Sequence, residues 1–223
     1  MLEKYSVALA VENLLPVLFL TLGLLFIARM LKRKNELLGE LAYIASFLIV
    51  VGNWLNAIGK LLSATNGSNS VWMKNSLLFL SAPGFVCLAW ALWRAKQKHL
   101  NAGAVWLLPL FLNGGLLALT AGVRTVKGGQ VWLKLLLIVV TVASVVALVQ
   151  LALQAFRLQR SIVAILFILS LGMSLALTLW GGDVSEAAEW AKQISNTIAQ
   201  GVFAFAAFSL QKIVSLADLE NLP

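Results

Sequence analysis

Amides at helical spacing are the side chains of this sequence best placed for chemistry. Asn53, Asn56 and Lys60 stand at i, i+3 and i+7, which puts them on one face of any helix that contains them. Gln193, Asn196, Thr197 and Gln200 form a comparable stripe, and Asn113 sits beside Gly114-Gly115 in an otherwise apolar run. If these faces converge they line a polar cavity, with Lys60 as the nearby cation at its mouth. The same amides can instead hydrogen-bond neighbouring helices, contributing about 0.6–2 kcal/mol each to packing. The residues alone leave both readings open.

Other chemistries lack their residues. His99 is the only histidine and falls in a polar connector, so haem held between two histidines and zinc clusters of His, Cys and carboxylates are not supported. Cys87 is the only cysteine, which excludes an intrachain disulfide and a thiolate cluster. A serine nucleophile needs a base that the apolar segments do not supply. Retinal needs a lysine within the last apolar segment, where lysines occur only at the ends. Proton coupling needs a mid-membrane Asp or Glu, and none is expected there. The sequence therefore predicts a protein that is not an enzyme and holds no cofactor or metal.

The elements that must position the amides are apolar helices. Of 223 residues, 61% are hydrophobic and 12% charged, whereas soluble domains are about half apolar and about a quarter charged. The apolar residues arrive in blocks near the roughly 20 needed to cross a bilayer. Seven such blocks cover 13–30, 37–62, 75–93, 104–123, 131–156, 162–180 and 191–213. The expected fold is all-α, a single polytopic transmembrane helical bundle over residues 1–223. Glu3 and Glu12 interrupt what would be a signal peptide, so the first block is expected to remain as a helix. Pro83-Gly84 should bend or weaken the third span, and Gly114-Gly115 and Gly122 should let another helix come close.

Charge sets the orientation. The formal charge is +8, but the basic residues are scattered over connectors without a basic stripe, which argues against nucleic acid. Arg29, Lys32, Arg33 and Lys34 follow span one, Arg94, Lys96 and Lys98 follow span three, and Arg157 and Arg160 follow span five. The connector after span six is acidic, with Asp183, Glu186 and Glu189, and Ser63 to Ser70 form a polar loop after span two. The positive-inside rule then places the N-terminus outside and the C-terminus in the cytoplasm, with Ser215 to Pro223 as a short tail. Most tryptophans fall near span ends, as interfacial indoles do, while Trp90 lies one turn deeper. Leu14-Leu15-Pro16 and Leu107-Leu108-Pro109 open similar stretches, which suggests an inverted repeat of spans one to three as four to six.

The segments Gly52-Asn53-x-x-Asn56-Ala57-x-Gly59-Lys60 and Asn196-Thr197-Ile198-Ala199-Gln200-Gly201 resemble uncharacterised multi-helix membrane proteins of cyanobacteria. The resemblance implies a thylakoid or bacterial plasma (inner) membrane and carries over no activity and no site residue. The functional expectation is a non-enzymatic bundle in the lipid bilayer that binds a small hydrophobic ligand or a membrane protein partner. Its candidate ligand-binding residues are Asn53, Asn56, Lys60, Asn113, Asn196 and Gln200. A small transporter or permease component with an outward-facing polar cavity is the alternative, and a lipid-modifying enzyme ranks last for want of an acid and a base. Reporter fusions at the two termini are expected to report opposite sides of the membrane; the same side for both would break the odd count of spans.

Overall fold

The computed structural model describes residues 6–67, 70–97, 102–127, 130–180 and 185–220. Among them run eight α-helices and no strand: α1 Val7–Glu12, α2 Leu14–Lys34, α3 Glu36–Asn66, α4 Val71–Arg94, α5 Ala102–Lys127, α6 Val131–Arg157, α7 Ser161–Leu179 and α8 Glu186–Glu220. With α1 and α2 counted as one crossing, seven are long and apolar enough to span a membrane. The protein is a multi-pass helical membrane protein, as the hydropathy blocks predict. Lys4, Asn69, Lys98, His99, Gly128-Gly129 and Asp183 lie outside the described residues.

Most helices extend past the apolar blocks because backbone hydrogen bonding continues where hydrophobicity stops, although α7 ends at Leu179, one residue short of its block. Asn35 caps α3, accepting from the Leu38 amide at 3.3 Å, and Gly67 ends it in the left-handed conformation at φ 66°. Ser63 to Asn66, expected in a loop, are thus the last turn of α3. Glu186 and Glu189, expected in an acidic loop, occupy the first turn of α8, where carboxylates favour the positive end of the helix dipole. The Ser185 hydroxyl accepts from the Ala188 amide at 3.2 Å and starts that helix. Residues after Ser215, expected as a tail, continue α8 to Glu220.

Prolines explain two further features. Pro16 has no amide to offer the Glu12 carbonyl and its ring crowds that turn; the first crossing breaks there, between α1 and α2. Pro109 likewise leaves the Val105 carbonyl without its helical donor, and the Trp90 indole N–H donates to that oxygen at 3.1 Å. This accounts for the one tryptophan that sits deeper than the rest. Pro83, expected to weaken its span, is carried within an unbroken α4.

Six helices close a ring in the order α2, α3, α4, α6, α7, α8 and back to α2. Small residues and interhelical hydrogen bonds make its seams, the usual devices where lipid removes the hydrophobic drive for association. A Cβ on Gly84 would stand 2.6 Å from Ile49 Cγ1 and 2.9 Å from the Ala45 carbonyl oxygen, so α3 and α4 touch backbone to backbone. Ser46 donates to the Leu24 carbonyl at 3.4 Å between α3 and α2, Gln150 to the Ala89 carbonyl at 3.1 Å between α6 and α4, and Ser170 to the Ala199 carbonyl at 3.0 Å between α7 and α8. At the closing seam Gly23 admits the Phe203 ring, and Phe26 stacks on Phe208 with centroids 5.3 Å apart.

The ring has two halves, α2 to α4 and α6 to α8, joined by parallel seams: Ala89 meets Gln150 while Ala82 clusters with Leu136, and Gly23 meets Phe203 while Phe26 meets Phe208. Helix α5 lies outside, against α4 and α6. It is held by Trp90 on Val105, by Asn113 on Cys87 at 3.2 Å, by Leu116 against Ala82 and Leu136, and by Arg124 over the Trp132 ring at 5.6 Å. The expected repeat of spans one to three as four to six is not realised, since α2 is a ring member and α5 is not. Nor, among the described residues, does another helix approach Gly114, Gly115 or Gly122, which have nothing within 4 Å of a Cβ position. Gly84→Leu is expected to destabilise the bundle by about 1–3 kcal/mol, the usual cost of overpacking. Gly172→Leu, facing open space, should leave the thermal unfolding midpoint in detergent unchanged.

Candidate functional site

A cavity of about 270 Å³ lies at the centre of the ring and is lined from α2, α3, α4, α6, α7 and α8. At about 30 Å³ per water it equals roughly nine waters, a ligand-sized space rather than a packing defect. Its wall is mainly leucine, with Phe85 and Phe203, and none of its lining residues is ionisable. The polar groups are Asn53 on α3, Ser81 on α4, Thr141 and Ser144 on α6, Ser170, Ser174 and Thr178 on α7, and Gln200 on α8.

These polar groups differ in what they have left to offer. Thr141, Ser144 and Thr178 donate to carbonyls of their own helices at 2.9–3.0 Å, satisfying their protons as hydroxyls in helices commonly do. Asn53 donates to the Ile49 carbonyl at 2.8 Å, which occupies one of its amide protons and leaves its oxygen. Ser81 is different. It is 2% exposed and its hydroxyl has no hydrogen-bond partner, a state that costs about 1–3 kcal/mol in a buried setting. The α3/α4 register, with Gly84 on Ile49 and Gly52 on Leu77 and Leu80, brings Asn53 and Ser81 to about the same depth.

Two helical turns, or about 10 Å, separate the cavity from a second polar cluster at the end of the ring opposite the basic connectors. On α2 the step runs from Leu20 to Asn13, on α3 from Asn53 to Lys60 and on α8 from Gln200 to Gln193. The buried Asn13 oxygen accepts from Gln193 at 2.7 Å and from Lys60 Nζ at 3.4 Å. Thr197 donates to Glu12 Oε1 at 2.6 Å, and the other oxygen, Oε2, is buried without a hydrogen-bond partner. The break before Pro16 turns Glu12 and Asn13 toward α3 and α8, so the cluster ties three helices together.

The candidate amides therefore part company. Asn53 and Gln200 line the same cavity, from the two helices that flank α2. Lys60 belongs to the terminal cluster. Asn56 and Asn196 are half-buried and line neither the cavity nor that cluster. Asn113 lies on α5, outside the ring, where it donates to Cys87 Sγ. The sequence reading missed Ser81, and it missed Ser170, Ser174 and Thr178, although their i, i+4, i+8 spacing carries the same one-face signal as the amides.

No family model, curated protein or solved structure matches this chain. The site is thus read from its own geometry. Asn13→Leu removes the acceptor shared by Gln193 and Lys60 and is expected to cost about 1–2 kcal/mol. Thermal unfolding in detergent measures it; an unchanged midpoint would show that the cluster does not hold the three helices.

Proposed function

We propose that this protein binds a small, uncharged, largely apolar molecule inside its helical ring and performs no chemistry on it. The observation that carries this reading is the unpartnered Ser81 hydroxyl in the wall of an otherwise leucine-rich cavity. A rotation of the Ser81 side chain would bring its buried hydroxyl to a ligand and remove that penalty, while Asn53 and Gln200 offer further hydrogen bonds from the helices that flank α2. A charged ligand would find no counter-charge in the lining and would bear its full desolvation cost. A pocket with apolar walls and a few convergent polar groups is the general form of small-molecule sites.

A second reading, a carrier for the same class of molecule, is favoured by the terminal cluster, which joins the first crossing, α3 and α8 at one end of the ring two turns from the cavity. Two parallel three-helix halves are also an arrangement that some transporters use. In both readings the basic end of the bundle faces the cytoplasm, on the charge distribution. A thylakoid or bacterial inner membrane is the setting supported by the resemblance of the two amide-bearing segments.

The test is gentle extraction of the full chain and mass spectrometry of the small molecules that accompany it. Wild-type protein is expected to retain an uncharged compound that is depleted several-fold in Ser144→Phe, which fills the cavity, and weakened in Ser81→Ala. Equal retention by wild type and Ser144→Phe would sink the proposal. Carrier activity is separated by placing cysteines at positions 53 and 200 in a Cys87→Ala background. A carrier lets a small impermeant thiol reagent reach them from one side of the membrane, in a manner that changes with ligand; a pure binder does not.

A further inference from the structure

A second site lies away from the central cavity, in a shallow groove of about 450 Å³ where the last turns of α4 meet the first turns of α5. Its wall is Trp90, Trp93, Leu107, Leu108 and Phe111, and Arg94 stands at its rim. Leu107 and Phe111 are 69% and 80% exposed, so the groove opens sideways onto the surface that faces hydrocarbon.

Arg94 is only partly engaged by the protein. Its Nη1 donates to the Gln97 side chain, and its guanidinium lies 5.7 Å from the centre of the Trp90 ring. Its Nε is buried without a hydrogen-bond partner. Among the described residues no carboxylate pairs with it. A buried cationic donor left open is costly, and a planar guanidinium fork is suited to phosphate oxygens. Two further cations stand near one another at this end: Lys96, two residues on and exposed, has its pKa lowered by partial desolvation first and then by the Arg157 guanidinium. The exposed Trp93 ring is of the type that lies at headgroup level, with the deeper Trp90 ring packed against it at a centroid distance of 4.8 Å.

We propose that this groove binds an anionic phospholipid, its phosphate on Arg94 and one acyl chain along Leu107, Leu108 and Phe111. A free phosphate would use the charge and leave the apolar wall uncovered, whereas a zwitterionic lipid would use the wall and gain little from the excess of positive charge. A basic pocket between spanning helices at a positively charged end is the recognised form of such sites.

Native mass spectrometry of the full chain in neutral detergent, titrated with phosphatidylglycerol or phosphatidylcholine, tests this. Wild type should prefer phosphatidylglycerol by at least about five-fold, the effect of roughly one well-placed cation. Arg94→Gln should abolish the preference, while Arg33→Gln, at the same end of the bundle on α2, should leave it intact. Equal binding of the two lipids by wild type, a retained preference in Arg94→Gln or an equal loss in Arg33→Gln would overturn the site. Displacement of the lipid by millimolar inorganic phosphate would show that the headgroup alone is read, and would overturn the lipid. Should Arg94→Gln not fold, Phe111→Ala decides: its side chain is almost wholly exposed, so folding is unaffected, and undiminished phosphatidylglycerol binding would remove the acyl-chain contact on which the proposal stands.

Discussion

Hydrocarbon supplies no hydrogen-bond partner, so every backbone carbonyl and every buried polar side chain must be satisfied from within the protein. That constraint orders most of what is seen here. It makes the seven crossings helical, and it explains why Trp90 reaches across to the carbonyl that Pro109 leaves open. It also makes the seams of the ring polar and small: Ser46, Gln150 and Ser170 each donate to a carbonyl of the neighbouring helix, and Gly84 brings two backbones into contact. Against that background Ser81 is, among the described residues, one of five buried polar groups left with an unpartnered atom, with Glu12, Arg94, Asn113 and Gln150, and the one of them in the cavity wall.

The ring and its cavity follow from the same accounting. Leucine side chains pack as well on lipid as on one another, so apolar surface alone would not decide which helices meet. Small residues and interhelical hydrogen bonds decide it, and they occur between α2 and α3, α3 and α4, α4 and α6, α7 and α8, and α8 and α2. The centre that these contacts surround is lined mainly by apolar side chains, with a few hydroxyls and amides and no charge. Charge is kept to the ends, where Lys60 and Glu12 join the cluster with Asn13 at one and Arg94 rims the lipid-facing groove at the other.

The crossings were legible because twenty-residue apolar blocks have few other uses, and each block lies within one long helix save for a single residue at the ends of the first and sixth, where Asn13 and Trp180 fall outside α2 and α7. Their ends were less legible, since Ser63 to Asn66 and Glu186 to Glu189 are polar yet helical; hydropathy reports the solvent, and capping by Asn35, Gly67 and Ser185 reports the helix. Asn53 and Gln200 could each be placed on a polar face of a helix by spacing alone, but spacing does not say which faces converge. Asn113 has a sound amide in a sound helix and lies outside the ring, because the position of α5 depends on its contacts with Cys87, Ala82 and Trp132. Ser81 was overlooked for a different reason: serine in a helix commonly bonds its own backbone, and only the three-dimensional surroundings reveal that this one does not.

The place of α5 has a consequence for how the chain is threaded. Three crossings leave a polypeptide on the far side from where it began, so a second set of three, begun at once, would run upside down relative to the first. One additional traverse restores the starting side, and α6 can then descend alongside α4 in the same sense. The contribution of α5 is therefore one of direction: it is the return stroke that lets two like-oriented halves close on each other, and it needs little grip on either to provide it.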